Sequence, residues 1–310
     1  MRLREPTLLT TVQVAIGSED ANFFQDQQVQ ADLANDGYTV VPIQMGSRQM
    51  AQNVLSLSHN GYDAIFPSSD DFAQEAVDEL PRQLGDLPVF RTPLAVFRWR
   101  DLIPQLQADG IVDHSGTTFN VGQYLAAADA DATWTVTGKQ ESLLLDMTDP
   151  AKSNSGAMFL GVASTILNHG NQVQSTSAAA AIARTSIGPI LDRVGSFNNT
   201  TAHLFESYLD DGESAEPLVL GYESEFLEVQ RAGQLPAGAV RLQMSPSVIC
   251  VHTLVPLDGA GVKFGARFYA DKALLKIAAQ KYGFDSPDQR ETFVNAPSYQ
   301  IIEAMISVVG

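Results

Sequence analysis

The chain has 310 residues, 45% of them hydrophobic, one cysteine and a formal charge of −17 at pH 7. That acidity argues against nucleic acid, whose phosphates need a basic footprint, and against adhesion to an anionic membrane. One cysteine cannot close an internal disulfide and leaves no cysteine zinc cluster, and no stretch approaches the roughly 18 consecutive apolar residues of a membrane helix. Cys250 lies in an apolar run and reads as a small buried hydrophobe.

In chain order, Thr11 to Ile16 alternates apolar and polar residues and predicts a strand, followed by Gly17-Ser18-Glu19-Asp20 and a helix stopped at Gly37. Tyr38 to Ile43 is a second strand, and Gly46-Ser47 opens a second helix. Asp63 to Phe66 is a third strand, and Ser68, Ser69 and Asp70 cap a third helix. This alternation implies a parallel sheet with helices on both faces, and it places the three polar turns at the carboxyl ends of the strands, the edge where open α/β sheets bind ligands. Pro88 to Trp99 is apolar but carries Pro93, which suits a central strand poorly, so it reads as a crossing between two lobes.

Leu143 to Thr148 reads as a strand, Asp149 to Gly156 as a polar turn, and Met158, Phe159, Val162, Ala163, Ile166 and Leu167 as one face of a helix ending near Gly170. Ser153, Asn154 and Ser155 stand where that helix begins. Each can cap it, and a helix start also offers outward amides backed by a partial positive charge. Capping alone would explain them, but similar starts recur. Phe197 to Ala202 precedes another helix through Thr200 and Thr201, and Tyr222 ends a strand at Pro217 to Tyr222. Glu223 and Glu225 follow it. They suit the first turn of a helix, with a cation or amine site as the other reading. Val248 to Leu257, with Pro256, reads as the return crossing, and His252 within it as a satisfied core or hinge residue. Helices from Ala260 close the chain.

No serine-hydrolase elbow, metal-binding His-Glu-x-x-His or phosphate loop is present, and the glycines at 259, 261 and 265 match a dinucleotide loop only loosely. We therefore expect no catalytic residue, no metal and no cofactor. Met1 to Pro6 has no apolar leader core, so the protein is either intracellular or has lost a leader.

Several motifs together resemble the type II extracellular solute-binding proteins of bacteria, in the broad group that includes molybdate- and sulfate-binding proteins. They are Gly17-Ser18-Glu19, Gly46-Ser47-Arg48, Thr148-Asp149-Pro150 with Lys152-Ser153-Asn154-Ser155-Gly156, Phe205 to Leu209, Leu220-Gly221-Tyr222-Glu223, and His252 to Leu257. The resemblance implies an α/β fold of two lobes, each a mostly parallel sheet flanked by helices, joined by two hinge crossings. On the apolar proline-bearing segments, residues 1–92 and 248–310 form lobe one and 93–247 lobe two. It further implies an extracytoplasmic protein, its leader absent from this chain, that captures a small solute in an interlobe cleft and delivers it to an ABC permease. The partners expected are thus a small-molecule or anion ligand and a permease, with no nucleic acid and a monomeric state.

Carried over residue by residue, the ligand contacts are Ser18, Ser47, Ser153, Asn154, Ser155, Gly156, Thr200 or Thr201, and Tyr222, with Gly17, Arg48 and Glu223 beside them. Glu223 after the tyrosine, and Lys152 and Arg48 near the turns, depart from the molybdate pattern. An oxyanion or carboxylate-bearing ligand is expected. An enzyme on the same fold, with Glu19 or Glu223 as its acid or base, and a stand-alone ligand sensor are the alternatives.

Overall fold

The computed structural model describes residues 9–284 and 293–310; Met1 to Pro6 lie outside them. Among the described residues ten strands run in chain order: β1 (Thr10–Ile16), β2 (Tyr38–Gln44), β3 (Ala64–Phe66), β4 (Leu87–Trp99), β5 (Thr118–Asn120), β6 (Thr133–Val136), β7 (Lys139–Ser142), β8 (Leu218–Tyr222), β9 (Ala239–Ser245) and β10 (Ile249–Pro256). The chain divides into two compact units. One reaches to Phe90 and resumes at Val251; the other holds Arg91–Cys250 and the C-terminal segment. The chain passes between them within β4 and again within β10.

In the first unit β1 is parallel to β2 on one side and to β3 on the other, and β10 runs antiparallel to β3. The register places Ile16 opposite both Gln44 and Phe66. All three strands therefore end at one edge, and the turns that follow them are neighbours. Apolar residues of β1 meet an aromatic cluster in which Phe23 stands edge-on to Phe90 at 5.0 Å and to Phe24 at 5.3 Å. Such pairs add about 0.5–1.5 kcal/mol beyond their area.

The second unit is built on the helix Asn154–Leu167, buried continuously from Asn154 to Thr165. A helix apolar on every face belongs in a core, and this one packs against β8 and the helices Val121–Asp129, Thr176–Ile182 and Tyr299–Val309. Cys250 is buried, as its apolar run predicts.

Parallel pairing, expected in both lobes, dominates the first unit. In the second, β4 is antiparallel to β8 and β9, and β5 is parallel to β9. Pro93 sits inside β4 after all, and the ladders to β8 and β9 start just past it, at Leu94 and Ala95. Residues 143–148 form no strand. Their backbone groups are shared out instead: Leu143 N donates to Ala132 O, Leu145 N to the Tyr124 hydroxyl, and Asp146 pairs with β8 in a single bridge.

The β6–β7 hairpin has no counterpart among the sequence expectations. Its two-residue turn, Thr137-Gly138, takes positive φ at both positions (48° and 84°), the geometry whose twist matches a hairpin. Residues 248–310 do not return whole to the first unit. Ile301, Ile302, Met305 and Ile306 bury one face of the C-terminal helix, which packs in the second unit against Asn154–Leu167 and Thr176–Ile182.

Candidate ligand site

The candidate residues fall in two groups, one in each unit. In the second unit Ser153 is the N-cap of the long helix, yet its hydroxyl makes no cap bond. It faces Ser155 Oγ at 3.3 Å and Thr201 Oγ1 at 3.2 Å. Ser155 Oγ lies 2.9 Å from Thr201 Oγ1 and 2.8 Å from Thr148 Oγ1. Thr148 reaches this point because the turn folds tightly: its Oγ1 accepts from Gly156 N at 3.1 Å. A Cβ on Gly156 would lie 2.4 Å from Thr148 O, so only glycine fits there. A bridge from Thr148 to Asn198 and a 2.9 Å bond from Asp149 N to Asn198 O bring in the next helix start.

Four hydroxyls thus meet where the helices Asn154–Leu167 and Thr201–Asp211 begin, and all four residues are at most 9% exposed. Two helix starts add their partial positive charges, so the group is formally neutral but electropositive, a setting for an anion or a strong acceptor.

The other predicted residues of this unit are placed as follows. Asn154 donates from Nδ2 to the Tyr222 hydroxyl at 3.0 Å, which fixes that ring at the end of β8. Of the pair left open, Thr201 joins the cluster, while Thr200 accepts from His203 N as a plain cap. Glu223 is buried in an ion pair with Arg241, so its charge is answered inside the unit. Lys152 is exposed and held by Asp149 at 3.2 Å and Asn199 at 3.1 Å.

The first unit's group has a different chemistry. Ser47 Oγ accepts from Ser68 N at 2.9 Å, the Ser68 hydroxyl donates to Glu19, and the Ser18 hydroxyl donates to Glu19 at 3.3 Å. The turns after β1, β2 and β3 are therefore tied together, as the register requires. Glu19 folds back over Gly17, where a Cβ would come within 2.7 Å of the carboxylate. Arg48 is half-buried in the first turn of the helix opened by Ser47.

Beneath this turn Asp20 and His252, both fully buried, are joined at 2.9 Å. Burial pushes the Asp20 carboxyl up to about 6 against the pull of His252. Burial pulls His252 down, but Asp20, with Glu19 and Asp70 beyond it, sets it above its usual range. Glu19, Asp20 and His252 offer atoms within 4.8 Å of one another. Within the trio the two buried members, Asp20 and His252, form an internal ion pair. His252 is buried in the core, as its apolar strand suggested, with its Nδ1 engaged by Asp20. Ser68 and Thr148 were not among the candidate contacts.

Comparison with solved structures completes the picture. A periplasmic thiamin binding protein aligns over 100% of this chain and 99% of its own at 10% identity and a TM-score of 0.63. Iron-bound HitA from Pseudomonas aeruginosa aligns over 97% and 99% at 11% identity and 0.60. The Azotobacter vinelandii periplasmic molybdate-binding protein aligns over 89% and 100% at 14% identity and 0.52. The fold is that of the type II periplasmic solute-binding proteins. No protein-family model and no curated protein sequence matches the chain. These structural neighbours of the solute-binding fold are binding proteins, not enzymes. Among the described residues, no helix is long and apolar enough to cross a membrane.

Proposed function

We propose that this protein is an extracytoplasmic solute-binding protein that captures a small oxyanion or carboxylate-bearing solute and delivers it, as a monomer, to an ABC permease. The observation that carries this reading is the meeting of Ser153, Ser155 and Thr201 hydroxyls at the starts of two helices in the second unit. Amides and hydroxyls of this kind hold an anion without a neutralising cation, and they act locally despite a surface charge that salt screens beyond roughly 8 Å. The fold supports the reading: its neighbours are described as binding molybdate, thiamin and iron. These hydroxyls bond one another and none bonds a histidine among the described residues, an arrangement suited to holding a solute rather than to activating a nucleophile.

The test is a thermal-shift screen with molybdate, tungstate, sulfate, phosphate, phosphonates and small carboxylates. A true ligand at a hundredfold excess over its Kd adds about 2.7 kcal/mol of stability. Ser155→Leu, which fills the cluster, abolishes the shift. A panel in which no anion stabilises the protein refutes the reading.

A further inference from the structure

Within the first unit, β1 and β10 flank β3, so the turn after β1 comes to lie against His252 on β10. That turn carries two carboxylates, Glu19 and Asp20, and both offer an atom within 4.8 Å of an imidazole nitrogen of His252. Asp20 Oδ1 and His252 Nδ1 stand 2.9 Å apart. Two ligands at a right angle on an ion about 2.1 Å from each are separated by about 3.0 Å. An ion can therefore displace the proton of this hydrogen bond, which leaves to solvent, with little movement of either side chain. Glu19 is already aimed: Gly17 leaves room for it to fold back, the Ser18 and Ser68 hydroxyls donate to it, and Ser68 N is fixed by Ser47. Hydroxyls that orient a carboxylate in this way are what an outer shell does for a metal ligand. Charge points the same way. Asp70, which accepts from Thr253 at 2.5 Å, adds a third carboxylate acting on the one imidazole, and no Lys or Arg forms an ion pair with Glu19 among the described residues.

We propose that Glu19, Asp20 and His252 form a binding site, inside the first unit, for one divalent first-row transition-metal ion. The donor set decides the class. Calcium and magnesium take oxygen ligands, whereas one imidazole with two carboxylates and no thiolate suits manganese, cobalt or zinc. Asp20 and His252 are fully buried and Glu19 is half-buried, so the ion is held from the core side and completes its coordination with water on the Glu19 side. Its effect is to clamp the turn after β1 to β10, two segments 232 positions apart in the chain. The site stands apart from the hydroxyl cluster of the second unit and needs nothing from it.

The experiment titrates the whole chain, freed of metal with a chelator, with manganese, cobalt and zinc chlorides, and with calcium and magnesium as controls. Calorimetry should show one ion bound per chain for at least one of the first three and none for the controls, and that ion at about a hundredfold excess over its Kd should raise the Tm. Glu19→Gln, which leaves the buried pair in place, should weaken binding by about tenfold or more. His252→Gln is the direct variant but risks the fold, so a second measurement carries the assignment. His59, His114, His169 and His203 are all exposed, and replacing the four together with Asn leaves His252 as the single imidazole of the chain. That variant should still bind one cobalt ion and show one hyperfine-shifted imidazole signal by NMR. The proposal is overturned if no first-row ion binds one per chain, if Glu19→Gln binds as the wild type does, or if the four-histidine variant loses binding or its imidazole signal, which would mark an adventitious ion only. None of these results bears on the anion screen, so this site and the solute-binding reading stand or fall separately.

Discussion

Two regions written in the same sequence grammar have opposite chemistry. Each is a set of serine- or threonine-bearing turns at helix starts. In the second unit Thr148, Ser153, Ser155 and Thr201 gather with no charged side chain among them. In the first, Ser18, Ser47 and Ser68 serve to hold a carboxylate, with a buried acid–histidine pair beneath it. The hydroxyls are common to both, and the groups they hold decide the electrostatics. A small polar residue at a helix start thus marks a place but not the sign of what binds there.

The largest effect that sharpens this contrast comes from unbalancing the first region. Asp20→Ala leaves His252 fully buried without its acceptor. Removing one member of a buried ion pair costs about 3–5 kcal/mol. Urea denaturation should show that loss, and a change under 1 kcal/mol would mean that the pair is not an internal anchor.

The matching test in the second region is steric. Gly156→Ala drives a methyl group into Thr148 O, at 2.4 Å, and separates the turn from the helix start. Overpacking of this kind costs about 1–3 kcal/mol. Because the hydroxyl cluster depends on the same close approach, ligand-induced stabilisation should disappear with it. A Gly156→Ala protein with full stability and full ligand response would separate the cluster from the tight turn.

Much of the frame was legible in the sequence. Apolar alternation and polar turns gave the three opening strands, and the 3.6-residue periodicity with Gly170 gave the central helix. Glu223 to Arg231 forms the helix expected there. What escaped depends on partners distant in the chain. Asp20 meets His252 across 232 positions, and Glu19 meets Ser68 across 49, so neither role is written in its neighbours. The apolar run 143–148 reads as a strand, but its bonds go to single distant groups, among them a tyrosine hydroxyl. Periodicity cannot see the β6–β7 hairpin because two four-residue strands are too short to show one.

A smaller effect compares one acid from each unit. Burial pushes both Asp71 and Asp146 up to about 7, helped by Asp70 in the first case and by Glu216 and Glu141 in the second. A carboxyl raised in the folded state binds a proton that the unfolded chain, titrating near 3.8, has already lost. Stability should therefore be higher near pH 5 and fall as pH rises toward 8. Asp71→Asn and Asp146→Asn should each flatten that fall and add about 1 kcal/mol at pH 8, once the shifts are discounted for partial exposure. A pH-stability curve from 4 to 9 checks both, and a curve that rises over this range contradicts the assignment.

The smallest expected effect concerns the second unit's own buried charge. His252 in the first unit is answered by Asp20. Arg98, on β4, is fully buried, donates from Nη1 to Trp99 O at 2.9 Å, and leaves Nε and Nη2 without partners among the described residues. Burial lowers its guanidinium to about 10, which still leaves it charged at pH 7. An uncompensated buried charge costs stability, and an apolar side chain of similar length removes that cost while giving up a single hydrogen bond. Arg98→Met should therefore be neutral or stabilising by about 1 kcal/mol, where Asp20→Ala is strongly destabilising. If Arg98→Met instead loses about 3 kcal/mol, an anion outside the chain answers the guanidinium, and adding salts of that anion should raise the Tm of the wild type but not of the variant.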